Sequence, residues 1–83
     1  MERGFKALGN RRRLAILRFI KKVKEATVGD IAEEIKLSFK STSRHLSVLA
    51  AADIVEREQR SLQAFYRLGD AIGEPVRRAV SIL

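Results

Sequence analysis

The run Leu37-Ser38-Phe39-Lys40-Ser41-Thr42-Ser43-Arg44-His45-Leu46-Ser47-Val48-Leu49 leaves this chain few ways to fold. As a helix capped by Ser38, whose hydroxyl can accept from a free N–H of the first turn, it sorts its residues cleanly by face. Thr42, Leu46 and Leu49 recur four and three apart on one side, with Val48 on the flank. Lys40, Ser41, Arg44, His45 and Ser47 fall on the other side, a mixture of cations and short hydrogen-bond donors. Such a face suits phosphate oxygens and base edges in a major groove. An ordinary solvated helix face has the same composition, so the run needs its context.

That context is a second helix before it and a hairpin after it. Thr27 and Asp30 form a near capping box ahead of Val28, Ile31, Ala32 and Ile35 at helical spacing, while Glu33, Glu34 and Lys36 face out. Lys36-Leu37-Ser38 is a turn of the length a helix-turn-helix requires, with Leu37 filling the corner. The acidic pair Glu33-Glu34 argues against the first helix lying along phosphate, which leaves insertion to the second. Beyond Ala50-Ala51-Ala52-Asp53, residues Ile54 to Glu58 and Gln63 to Leu68 predict a two-stranded hairpin with Gln59-Arg60-Ser61-Leu62 as its tip. Alternation points Ala64, Tyr66 and Leu68 inward and leaves Phe65 and Arg67 on the other face. Arg57, Arg60 and Arg67 make the hairpin a candidate phosphate or minor-groove arm diluted by Glu56 and Glu58, and Arg60 at the tip is the favoured contact.

The stretch from Lys6 to Leu68 resembles the winged-helix DNA-binding domain of the ArsR-type repressor family. Ala7-Leu8-Gly9-Asn10-Arg11-Arg12-Arg13-Leu14-Ala15-Ile16-Leu17 is similar to that family's opening, Leu37 to Leu49 to its recognition helix, and Phe65-Tyr66-Arg67-Leu68 to its closing wing strand. Ser43-Arg44-His45-Leu46 followed by Leu49 is the most specific part. Asp53 stands where the family commonly has glycine, at a left-handed exit from the helix that Asp tolerates. The resemblance implies a mainly α fold with a small β-hairpin, a winged helix-turn-helix followed by a carboxy-terminal helix. It also implies pairing of two copies through the terminal helices and repression by occupying a promoter.

Many members of that family sense metals, and there this sequence departs from them. Thr27-Val28-Gly29-Asp30 replaces the cysteines found around the start of the positioning helix, and Asp70 and Glu74 lack a neighbouring histidine. His45 is the only histidine and there is no cysteine, so neither a zinc site nor a thiol nucleophile is expected. His45 has a DNA contact and a packing or capping role as comparable alternatives. No paired carboxylates, nucleophile near a histidine or glycine-rich phosphate loop points to catalysis or a cofactor.

The rest of the chain supports the central segment. Asn10 can cap a helix from Arg11 to about Lys24, with Leu14, Ile16, Leu17, Ile20 and Val23 as its core stripe. Arg11, Arg12 and Arg13 open it, where they could hold phosphate, or where one could serve structurally in an ion pair. Lys21, Lys22 and Lys24 read first as a solvated face and second as a distant phosphate contact. Gly73-Glu74-Pro75 predicts a helix start, and Ile72, Val76, Ala79, Val80 and Leu83 then share one apolar face over a helix at 70–83. That face must cover either its own domain or a second copy, and the second is favoured because 83 residues make a marginal lone core.

Seventeen Lys and Arg against ten Asp and Glu give a net charge of +7, which favours a polyanionic partner. No apolar run reaches the length of a membrane span, and a cytoplasmic protein is expected. Residues 1–83 thus read as one domain with its core in 6–68. The expected function is sequence-specific binding of double-stranded DNA as a homodimeric regulator, most simply a repressor. Ser38, Lys40, Ser41, Ser43, Arg44, His45 and Ser47 would read the major groove, and Arg60 would touch the adjoining backbone. A non-specific architectural DNA-binding protein and a winged-helix docking module remain as alternatives.

Overall fold

A computed structural model describes residues 6–69 and 76–83 of the chain. Residues 6–8 are helical, and Asn10 then starts α1, Arg11–Val23, by accepting from the N–H groups of Arg12 and Arg13 at 2.9 and 3.1 Å. Ile16, Leu17 and Ile20 are the buried residues of α1, whereas Leu14 is half-buried and Val23 is exposed, so the core stripe is narrower than the spacing alone predicts. Lys24 ends the helix at a positive φ of 79°.

A two-residue strand, β1 (Ala26–Thr27), leads directly into α2 (Val28–Ile35). Thr27 is therefore both strand end and helix cap, and the expected capping box with Asp30 forms in both directions. Lys36 turns the chain through a left-handed conformation, and the Leu37 N–H returns to the Ala32 carbonyl at 3.0 Å. Ser38 then caps α3, Phe39–Ala51, accepting from the Ser41 N–H at 3.0 Å. Thr42, Leu46 and Leu49 are its buried residues, as the sequence predicts. Among the described residues Thr42 Oγ1 has no hydrogen-bond partner, and Thr42 serves the core through its methyl group.

Asp53 takes the left-handed exit from α3 with φ 61°, and β2 (Val55–Arg60) and β3 (Gln63–Leu68) follow. Gly69 closes the hairpin. Its N–H donates to the Ile54 carbonyl at 2.8 Å, and a Cβ there would stand 2.5 Å from the Asp53 carbonyl oxygen, a distance no side chain accepts.

The hairpin is not a lone pair of strands. β3 is the centre of a three-stranded antiparallel sheet in the order β1-β3-β2, with Ala26 opposite Tyr66 and Thr27 opposite Phe65. The wing is thereby tied to the base of the helix-turn-helix. Its turn is Ser61–Leu62, with Ser61 at φ 55°, and Arg60 is the last residue of β2 instead of lying on the tip.

The terminal helix α4, Val76–Ser81, lies against the chain's own domain. Val76 and Val80 are buried in the same cluster as Ile16, Ile20 and Leu46, and Leu83 packs against that cluster. Lys21 donates its ammonium to the Ser81 carbonyl, and to the Leu83 carbonyl at 3.2 Å, so it caps the end of α4 instead of being merely solvated. The expected helix start at Gly73-Glu74-Pro75, together with Ile72, Asp70 and Glu74, lies outside the described residues.

Candidate nucleic-acid interface

Successive residues of an α-helix are rotated by about 100°, so the burial of Thr42, Leu46 and Leu49 fixes where every other α3 side chain points. Lys40, Arg44 and Ser47 project directly away from the core and are exposed. Ser43, with Phe39 and Ala50, lies along the edge of α3 that faces the wing. Ser41 and His45 lie along the opposite edge, beside the amino end of α1. The six predicted residues within α3 therefore occupy three adjoining strips of one solvent-facing surface.

The hydroxyls are not equivalent. Ser38 Oγ is occupied as the helix cap, and Ser47 donates to the Ser43 carbonyl at 3.1 Å, which leaves Ser47 as an acceptor for a partner. Arg12, Arg44 and Lys40 have no carboxylate within ion-pair distance among the described residues. Their cations are available to an external anion without the loss of an internal pair. His45 lies among the arginines of this group. Partial burial first, and then the fields of Arg13, Arg12 and Arg44, hold its imidazole below the ordinary pKa and favour its neutral form.

Arg13 has a different task from its two neighbours. Its Nε donates to the Ala7 carbonyl at 2.6 Å, and its guanidinium reaches the Lys6 carbonyl at 3.5 Å. One of the three arginines is thus structural, as the sequence allows, but it holds backbone carbonyls and not an acid.

Between α3 and the wing lies an open cleft of about 650 Å³. Phe39, Ser43 and Ser47 line one wall, Arg57, Gln59 and Leu62 the other, and Thr27 to Gly29 at the start of α2 its floor. Strand register explains the wing's contribution. Val55, Arg57 and Gln59 pair with Leu68, Tyr66 and Ala64, and this face of the hairpin looks toward the core and the cleft. Arg57 donates to the Gln59 side chain at 2.7 Å and has no acid beside it among the described residues.

The same register puts Arg60 on the other face, with Glu56, Glu58, Phe65 and Arg67. There the Arg60 guanidinium makes a bidentate pair with Glu25 at 2.7 and 2.8 Å. It also bonds Glu58 at 3.0 Å and stacks over the Phe65 ring, 4.7 Å from the centroid. Arg67 bonds Glu58 at 2.8 Å and approaches Glu56 at 3.3 Å. Hydrogen bonds from Arg60 and Arg67 hold the Glu58 carboxyl down to about 2, and the Arg60 bond lowers Glu25 as well. Arg60, expected at the wing tip as the favoured backbone contact, instead ends β2 and is engaged by Glu25 and Glu58. The wing arginine that faces the cleft is Arg57.

Two apolar residues at the cleft escape a charge-based reading. Phe39 is 63% exposed at the first position of α3, and Leu62 is 96% exposed on the wing turn. For Phe39 the signal was present in the sequence, since the helical wheel that buries Thr42 and Leu46 sets residue 39 at the edge of the core stripe. No group of three or more potential metal ligands occurs among the described residues, and no described helix is long and apolar enough to cross a membrane.

A sequence profile of the bacterial regulatory protein arsR family matches residues 10–57. The transcriptional repressor SdpR of Bacillus subtilis (strain 168) is 32% identical over 72 residues, covering 87% of this chain and 79% of that protein. A homodimeric winged helix-turn-helix DNA-binding domain from Mycobacterium bovis, described as a possible ArsR-family transcriptional regulator and solved in solution by NMR, superimposes with a TM-score of 0.82. Its identity is 31%, over 98% of this chain and 71% of that one. Reduced HlyU from Vibrio cholerae superimposes with a TM-score of 0.81 at 29% identity, over 95% of this chain and 79% of its own.

Proposed function

The chain belongs to the bacterial ArsR family of regulatory proteins, and on that premise we propose that it is a sequence-specific, homodimeric DNA-binding repressor. The observation that carries this reading is the outward strip of α3. Lys40 and Arg44 sit there beside serine hydroxyls with no acid among the described residues to neutralise them, flanked by Arg12 on one side and Arg57 on the other. A convex helix with that surface enters a major groove, where Arg44 supplies a planar fork for a guanine edge or a phosphate. Ser41, Ser43, His45 and Ser47 add short polar contacts, and Arg57 on the wing follows the backbone. Ser38 contributes its cap and, through its remaining O–H, a phosphate contact.

Two copies related by a two-fold axis would present their recognition helices to half-sites one helical turn apart, about 34 Å. Homodimer formation is supported by the M. bovis domain, and the repressor assignment by SdpR. We assign the pairing surface to the terminal helices, where Ile82 remains 79% exposed although Val76 and Val80 are covered. The fold and family are those of regulators, and no enzymatic role is assigned.

Selection from random duplex DNA with the purified chain tests the proposal. An enriched palindrome bound on the order of a thousandfold tighter than a scrambled duplex, with a sedimenting mass of two chains on that site, is the expected result. Equal and steeply salt-dependent binding of both duplexes would replace it with an architectural role. No binding at low salt would leave a protein-docking module.

A further inference from the structure

We propose that Phe39 contacts a thymine methyl group in the major groove, so that part of the chain's base discrimination is apolar. The inference rests on the DNA-binding function proposed above and names a specificity-determining residue within it.

Phe39 is the first residue of α3, and it is 63% exposed and outside the buried core. It stands at the end of the helix that reaches furthest into a groove in helix-turn-helix docking, where amino-terminal residues meet base edges. Its neighbours along the helix are Ser38, Lys40 and Ser43, and across the cleft the wing turn carries the exposed Leu62, so the ring is one of two exposed apolar side chains in a polar and cationic surround. A protein partner needs a broader continuous apolar patch than one ring and one leucine offer. A single methyl group does not.

The chemistry of the groove narrows the target. Phenylalanine has no donor or acceptor, so it cannot distinguish the hydrogen-bonding patterns of the four base pairs. The one apolar feature on those edges is the C5 methyl of thymine, and an aromatic ring is among the side chains that pack against it. Lys40, adjacent in sequence and without an acid partner, draws phosphate toward the same end of the helix. The electrostatic attraction thus brings the ring to bases that it can only tell apart by their methyl groups.

The test uses the preferred duplex from the selection above, resynthesised with deoxyuridine replacing each thymidine in turn, which removes only the methyl. At one position in each half-site the wild-type chain should bind the deoxyuridine duplex about fourfold more weakly, the worth of one buried methyl. Phe39→Ala should bind the thymidine and deoxyuridine duplexes equally at that position and keep the salt dependence of the wild type. Equal wild-type affinity for all substituted duplexes would overturn the inference and leave the DNA-binding function standing, as would undiminished discrimination by Phe39→Ala. Failure of the wild type to bind any duplex would overturn both.

Discussion

On the outward strip of α3, Lys40 and Arg44 have no carboxylate within reach among the described residues, whereas on the back of the wing Arg60 and Arg67 are bound by Glu25, Glu56 and Glu58. Both regions are solvent-facing, and both carry arginines that a count of charge treats alike. They differ in what a phosphate would have to displace. A phosphate meeting Arg44 exchanges water for an ion contact, while one meeting Arg60 must first separate a bidentate pair and a second carboxylate. The difference explains how a chain of net charge +7 can have a binding surface smaller than its supply of cations. Among the described residues the cations on the α3 face are uncompensated, and those on the back of the wing are tied to carboxylates.

Substitution of the two arginines tests this contrast most strongly. Arg44→Ala should weaken binding to the selected duplex roughly tenfold to a hundredfold and relax the preference at particular base pairs, as read by titration against single-base variants. Arg60→Ala should change that affinity by less than about twofold. Its effect should appear instead as faster hydrogen exchange at the amides joining β1 to β3, because the tie to Glu25 is gone. Equal losses of affinity in both variants would abolish the distinction between the two regions.

A second change sharpens the contrast by reversing it. Glu25→Gln combined with Glu58→Gln removes the charges that occupy Arg60, which ends β2 beside the wing turn. The double variant should bind duplex DNA more tightly at low salt, with a salt slope steeper by about one. An unchanged slope would mean that the face of the sheet, and not the pairing, keeps Arg60 from the backbone.

The smallest effect concerns His45, whose neutral form is favoured because burial and three arginines oppose its protonation. Nearby phosphates favour the charged form, so its pKa rises in the complex and binding takes up a fraction of a proton. The affinity should therefore increase as pH falls from 7 toward 5.5, by less than one logarithmic unit per pH unit, and His45→Gln should remove the increase. The free protein carries the opposite sign. A histidine held below its unfolded pKa stabilises the fold only above about pH 6.5, and that contribution declines as the pH falls.

Local pattern made α2, the turn and α3 legible in the sequence. The Thr27–Asp30 box, the Ser38 cap and the spacing of Thr42, Leu46 and Leu49 each involve residues within a few positions of one another, and each recurs in the structure. Asp53 could likewise be placed, because few residue types accept its backbone angle. What escaped depends on partners far apart in the chain. β1 has two residues and no alternation to betray it, and it exists because Tyr66 and Phe65 arrive beside Ala26 and Thr27. The fate of Arg60 was decided by Glu25, thirty-five positions away, and that of Lys21 by carbonyls sixty positions on. On the proposed DNA surface, hydrogen-bonding chemistry marks the polar residues of α3, while Phe39 carries no such mark because an apolar residue beside a core stripe is ordinarily taken to be part of it.

The closure at Gly69 has a consequence for how the sequence can vary. Its bond to Ile54 and its contact with Asp53 bring the two ends of the wing together beside the core, independently of what lies between them. Residues added at the Ser61–Leu62 turn would lengthen a loop whose ends are already fixed, and doubling such a loop costs only about 0.6 kcal/mol. Wing length can thus drift over generations while the register of Tyr66 against the helices is preserved. An added side chain at position 69 has no such latitude, and Gly69 is where inheritance should be strictest outside the helices.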